Sequence, residues 1–291
     1  MAPVTQTSLV TTPTSSVINS DDKSSIKPIV MKIDESKCLI EFRSLLTSKT
    51  KLRDYDLDDE IILKFLRSRD YDLRESHKVL SGFISILEDR PDIFAWSDSI
   101  KKVISSDMYY HYPVKTPNGC KLLISHPGRW DTRSFNIETI ITTTLFFDEV
   151  SLLDKQVQEN GFIGIIDMRG LGWSQIYNVG ITNAKLASDL TDKYIPFKLI
   201  NLHVIYENRL TNLAYSLFKP FLDEKLKNRI IFHGHNLTSL YNYVPKSCLP
   251  ASLGGTNIDY PWDHYNQQLE SKKDQVLELW ELMKKKRINN N

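Results

Sequence analysis

The sequence predicts an α/β fold: an all-helical N-terminal lobe, then a mostly parallel sheet covered by helices. Three observations predict it. Short runs such as "CKLLISHPG", "GFIGIIDMRG" and "KLINLHVIYEN" are apolar along nearly their whole length and end in turn residues. Strands of that kind belong in a parallel sheet buried on both faces. The stretches between them repeat apolar residues at steps of three and four, the period of a helix. Ahead of the first run, residues 33–94 carry the helical period alone.

Taken in order, Ile33, Leu39, Ile40, Phe42, Leu45 and Leu46 predict a first helix. A helical hairpin follows. Asp58 or Asp59 caps its first arm, with Ile61, Ile62, Phe65 and Leu66 inward. "RDYDLRES" turns the chain into a second arm carrying Leu73, Val79, Leu80, Phe83 and Leu87, until Pro91 stops it. "NIETIITTTLFFDEVSLLDKQVQEN" reads as one long helix, "ITNAKLASDLTDKYI" as another, "RIIFHG" as a fourth strand and "NLTSLYNYV" as a short helix. "NQQLESKKDQVLELWELMKKKRINNN" is a polar helix with a thin apolar edge. The resulting division is a Ser/Thr-rich disordered tail (1–27), the helical lobe (28–97), the α/β lobe (98–260) and a C-terminal helix and tail (261–291).

Composition narrows the function. A net charge of +1 argues against nucleic acid as partner. Cys38, Cys120 and Cys248 lie far apart, without zinc or disulfide spacing, as expected of an intracellular protein. No apolar run approaches the roughly 20 residues of a membrane span. The N-terminus lacks the pattern of a secretory signal, and Ala2 excludes N-myristoylation. The expected location is therefore cytoplasmic, with any membrane contact peripheral.

Catalytic signatures are missing: there is no GxSxG elbow, phosphate loop or GxGxxG turn. No enzyme, metal or cofactor is expected. His233 and His235 in "HGH" lack a third ligand and read as structural. Asp167, at the end of an apolar run, reads as a turn former. Asp148 shares a helical face with Ile141 and Thr144, yet the opposite face is no clean stripe. Inward and solvent-facing orientations both fit it. "MKKKR" reads as the solvated end of the last helix.

"NRLTNLAYSLFKPFLDEKLKNR" combines an apolar stripe with Pro220 at its centre and basic residues in its second half. Either a kinked core helix or a flap that meets something outside the protein fits that pattern.

Several motifs resemble the CRAL-TRIO lipid-transfer family, in that family's order across about 57–260. They are "ILKFLRSRDYDLRESHKVL", "GFIGIIDMRG", "HVIYENRLTNLAYSLFKPFLDEKLKNRIIFHG" and "CLPASLGGT", the last with Ser252-Leu253 in place of the usual Glu-Tyr. The form is similar to the animal branch, which includes tocopherol and retinaldehyde carriers.

The resemblance implies a non-enzymatic carrier that holds one hydrophobic lipid, such as a tocopherol, retinoid or carotenoid, in a closed pocket and exchanges it at membranes. It implies a pocket at Ile141, Thr144, Asp148, Phe162, Ile166, Leu186, Leu190 and Phe197. It implies a mobile gate helix bearing Leu210, Leu213, Leu217, Phe218 and Phe221, with Pro220 marking the break after it. It also implies a phosphoinositide cleft at Arg69, Lys198, Lys225 and Arg229, less basic than usual because a further cleft position falls on Ile200. Anionic membrane surfaces would be a partner. The competing class is a phosphoinositide-sensing membrane adaptor that moves no cargo.

Overall fold

The computed structural model describes residues 33–47, 51–257, 267 and 269–286. The segment 1–27 and the end of the C-terminal tail, with Arg287, lie outside the described residues. The described residues from Glu35 onward belong to one compact unit.

Helix α1 (Glu35–Thr47) leads to the hairpin of α2 (Asp59–Ser68) and α3 (Leu73–Asp89). Asp58 caps α2 by accepting from the Ile61 amide, and Asp72 caps α3 through the Arg74 and Glu75 amides. Helix α4 (Asp98–Ile104) precedes β1 (Tyr109–Lys115) and β2 (Lys121–Ser125). The expected single helix is broken: α5 (Ile137–Leu152) stops and α6 (Lys155–Asn160) restarts. Asp154 makes the break by accepting from the Gln156 amide, a capping bond that competes with helix continuation.

After β3 (Phe162–Asp167), α7 (Trp173–Asp189) begins eight residues earlier than "ITNAK" suggested and bends at Gly180, whose φ of 66° combined with a ψ of 162° suits glycine alone. A π-turn (Leu190–Tyr194) leads to β4 (Leu199–Ile205), then α8 (Thr211–Phe218), α9 (Glu224–Lys227) and β5 (Ile230–Phe232). Pro220 sits in a single 3₁₀ turn between α8 and α9, so it strains no helix. "NLTSLYNYV" forms a 3₁₀ turn, and α10 (Lys273–Lys284) closes the described chain.

The five-stranded sheet runs in the order β1-β2-β3-β4-β5, antiparallel between β1 and β2 and parallel elsewhere. Gly164 lies between Leu123 and Leu202 in register. A Cβ there would sit 2.4 Å from Leu202 Cδ1, so glycine is what lets Leu202 lean across β3.

The helical lobe and the sheet share one core, from Phe42 and Phe83 through to Phe162 and Leu249. Helix α10 joins it through Val276, Trp280 and Met283, with Trp280 edge-on to Phe94 at 5.2 Å. Polar contacts fix the lobe. Lys64 Nζ donates to Glu149 Oε2 on α5 at 2.8 Å, with both side chains buried. Arg67 donates to Glu35, Glu60 and Gln158, the last at 2.9 Å on α6.

Removing one member of a buried pair strands the other, at a cost of about 3–5 kcal/mol, whereas an apolar pair of similar volume is often neutral. Lys64→Ala is therefore expected to lower urea stability by about that amount. Lys64→Met with Glu149→Leu should recover most of it. A double variant as unstable as the single one would show that the pair is not the anchor.

Candidate functional site

The sheet's β3–β5 face carries Ile166, Leu199, Leu202 and Val204 toward two adjoining apolar cavities of about 240 and 290 Å³. A register shift between Phe162 and Ile163 puts Leu199 on the same side as Leu202 and Val204. Ile166, Ala187, Thr191, Leu199 and Leu202 line both cavities, so the two are neighbours across a shared wall.

The first cavity is roofed by α8 and its extension, through Thr211, Ala214, Tyr215, Phe218 and Leu222. Within α8 only Thr211 is fully buried, so this roof is held by half-buried side chains. The second cavity reaches back to α5 and β1, where Ile141, Thr144, Asp148 and Tyr109 line it beside Leu190 and Phe197.

The structure thus brings six of the eight expected pocket residues to these cavities: Ile141, Thr144, Asp148, Ile166, Leu190 and Phe197. Phe162 stands one layer behind, stacked on Phe197 at 4.3 Å. Leu186 packs half-buried against the core without lining either cavity. Among the expected gate residues, Phe218 faces the first cavity. Leu210 and Leu217 pack on a small cluster around Met168 and Val204. Leu213 is exposed and Phe221 half-buried.

Asp148 points inward. The Tyr109 hydroxyl donates to its Oδ1 at 3.2 Å, and His111 Nε2 lies 3.2 Å from the same atom. His111 Nε2 also meets Tyr109 Oη at 2.9 Å, and its Nδ1 hydrogen-bonds with Ser151 Oγ at 2.6 Å. Burial pushes the Asp148 carboxyl well above the usual carboxylate range, against the Tyr109 hydrogen bond. Burial, helped by the charge on Lys121, pulls His111 well below the ordinary imidazole range. Both shifts favour a neutral acid beside a neutral imidazole. A neutral carboxyl both donates and accepts, so it can answer a hydroxyl at the end of an apolar molecule.

Arg69, Lys198, Lys225 and Arg229 line one cleft of about 460 Å³. They are not equally available. Arg69 donates to the carbonyls of Phe197 (3.2 Å), Ile195 (3.3 Å) and Asp192 (3.5 Å). Burial lowers its pKa. Lys198 pairs with Asp70 and donates to the Glu159 carbonyl. Asp70, Asp72, Glu75, Asp192 and Asp223 also line the cleft, so its charge is mixed rather than purely basic.

Asp167 serves the turn. It accepts from the Arg169 amide at 3.0 Å, pairs with that guanidinium and lies 3.4 Å from His126. Burial would raise its carboxyl, but those hydrogen bonds hold it well below the usual range. His233 pairs with His203 at 2.8 Å rather than with His235. Among the described residues no group of three metal-ligating side chains forms.

Sequence reasoning missed β1, with Tyr109 and His111, and the exposed residues of α7. Trp173, Tyr177 and Ile181 are 67, 87 and 67% exposed. Trp173 and Tyr177 are one turn apart on a helix that packs against α8. Their spacing of four was the available signal, hidden by the glycines of "GLGWSQIYNVG". Among the described residues no helix is long and apolar enough to cross a membrane.

Residues 106–255 match the CRAL/TRIO domain profile. "Alpha-tocopherol transfer protein-like" of Homo sapiens is 29% identical over 220 residues, 75% of this chain and 64% of that protein. The chain thus spans a little under two thirds of that relative. Clavesin-1 of Xenopus laevis is 27% identical over 224 residues, 76% of this chain and 68% of that protein. The crystal structure of Sfh5 shares the fold, with a TM-score of 0.52 at 13% identity, covering 85% of this chain and 100% of that one.

A carboxyl whose folded pKa is raised contributes stability that is full below its unfolded value, about 3.9, and lost as pH rises through the folded value. Asp148→Asn keeps the shape and stays neutral. It is expected to gain Tm relative to the parent as pH rises from about 5 to 8, with the opposing His111 contribution cancelling in the difference. A Tm difference that does not change with pH would show that Asp148 is ionised in the fold.

Proposed function

The chain belongs to the CRAL/TRIO domain family, and from that premise we propose that it carries one hydrophobic lipid between membranes. The supporting observation is the pair of adjoining apolar cavities roofed by α8. Together they fall in the roughly 300–1,000 Å³ range of small-molecule sites. Water is a poor route for such a ligand, because each CH₂ withdrawn from it is worth roughly 0.8 kcal/mol. Helix α8 is the gate in this reading, and the exposed Leu213, Trp173, Tyr177 and Ile181 are the apolar side chains that meet the bilayer. Trp and Tyr suit that role, since their rings favour the membrane–water boundary.

The cargo in this reading is a long apolar molecule with one hydroxyl, of the tocopherol, retinoid or carotenoid type. The apolar part fills the cavity under α8, and the hydroxyl meets Asp148 and Tyr109. The cleft of Arg69, Lys198, Lys225 and Arg229 receives a phosphoinositide headgroup, mainly through Lys225 and Arg229. Arg69 and Lys198 are already committed to carbonyls and Asp70.

Mass spectrometry of the solvent extract of protein purified from its native cells tests the cargo directly. One stoichiometric hydroxylated lipid is expected. A trace mixture of phospholipids, together with vesicle binding that leaves ligand exchange unaccelerated, would favour the adaptor instead.

Trp173→Asp with Tyr177→Asp is expected to slow vesicle-to-vesicle transfer at least about tenfold, since each charge costs kilocalories at an apolar interface and 1.4 kcal/mol is a factor of ten. Circular dichroism should be unchanged, as both side chains are exposed. Full transfer activity would remove these side chains from the membrane contact. Lys225→Ala with Arg229→Ala should weaken binding to anionic vesicles, with the loss shrinking as salt rises. A loss independent of salt would point away from charge.

A further inference from the structure

On the β1 side of the sheet lies a cleft of about 360 Å³ lined by Lys115, Lys121, Ser151, Asp154, Ser271 and Lys272. It shares no lining residue with the Arg69 cleft. We propose that it is a second anion site, one that takes a phosphate group. The inference stands whether or not the chain carries a lipid.

Lys115 and Lys121 are direct partners across the antiparallel β1–β2 pair. Like charges in that position destabilise a sheet. Lys272 adds a third ammonium from the C-terminal segment. Asp154 is the one carboxylate in the lining, and both of its oxygens are used. Oδ2 pairs with Lys115, and Oδ1 accepts from the Gln156 amide at 2.8 Å. Lys272 donates to the neutral amide of Gln275 at 3.3 Å. Lys121 forms no ion pair among the described residues, and the acid that acts on it is Asp154, already engaged.

Burial, with Lys115 adding to it, pushes the Lys121 amine down to about 8. A partly buried cation without a counterion is costly, and an anion seated among the ammonium groups would relieve that cost. Ammonium groups are compact charges with three donors each, which suits a phosphate with several acceptor oxygens. The cleft has room for a phosphate and part of the group it is attached to. The phosphate can belong to a free phosphorylated compound or to a lipid headgroup.

Amine acylation of the full-length protein near pH 7, read by peptide mass spectrometry, tests the site. An amine at about 8 has on the order of a hundredfold more neutral form there than an ordinary lysine, so Lys121 should label early. Each unit by which a bound anion raises that value slows labelling about tenfold. Millimolar inorganic phosphate is therefore expected to slow Lys121 labelling about tenfold, while chloride at matched ionic strength does not.

Slowing by inorganic phosphate supports a site open to free phosphorylated compounds. Slowing only by vesicles bearing a phosphorylated lipid, with neutral vesicles inert, supports a headgroup. Lys272→Gln should lose much of the protection, and Arg229→Ala should keep it. Unchanged labelling with both probes overturns the proposal. So does equal slowing by chloride, or protection by inorganic phosphate that vanishes in Arg229→Ala.

Discussion

The buried ammonium of Lys64 against Glu149 is the contact on which the arrangement hangs. It fixes the rotation of α5 about its own axis. With Glu149 turned to the helical lobe, its neighbour Asp148 is turned to the cavity. Two adjacent carboxyls thereby enter different surroundings. Glu149 has a cation, and Lys64 also lies 5.7 and 5.9 Å from the rings of Phe65 and Phe83. Among the described residues Asp148 has hydroxyl and imidazole partners, and burial favours its neutral form. One turn of helix sets both the grip of the lobe and the polar end of the cavity.

The molecule is built unevenly around that cavity. Its floor is the sheet and its back wall is α5, where Leu199, Val204, Ile141 and Asp148 are fully buried and Ile166, Leu202 and Thr144 half-buried. Its roof is α8, whose apolar residues are mostly half-buried, beside the three-residue strand β5. Segments with few buried contacts open at lower free energy than the core. In the gate proposed above, a short helix ended by Pro220 would lift as a piece, because the proline has already interrupted the backbone bonds that would tie it to α9. The kink in the apolar stripe is a joint between two short helices.

The layers were legible in the sequence to the extent that they repeat. The apolar runs of β2, β3 and β4, the cap at Asp58 and the turn at "RDYDLRES" announced themselves, because strand burial and helix starts have local signatures. Strand β1 did not: "YYHYPVK" contains a proline and histidine, and its value as a strand comes from pairing with β2. The early start of α7 was hidden by glycines, and the end of α5 by a capping Asp154 that reads equally well as a helix surface residue. Site residues on regular elements, such as Ile141 and Leu190, could be placed by motif. Phe162 and Leu186 fell a layer away from the cavities, because side-chain layering is decided by packing that no linear pattern records. The Tyr109–His111–Asp148 group was invisible for the same reason. Its members come from two elements joined by a fold, not by spacing.

Arg69 ties two events together. Its guanidinium lines the charged cleft and at the same time holds the carbonyls of Ile195 and Phe197, whose side chains line the second cavity. Any anion that engages Arg69 competes with those carbonyls for the same donors. In the proposed reading the competition is reciprocal: a guest that stiffens the Ile195–Phe197 wall would weaken anion capture by the same factor that the anion weakens the guest's own hold. In the proposed carrier, one side chain would thus set an exchange rate between occupancy inside the protein and attachment outside it, readable as the difference in anion affinity between the empty and the filled molecule.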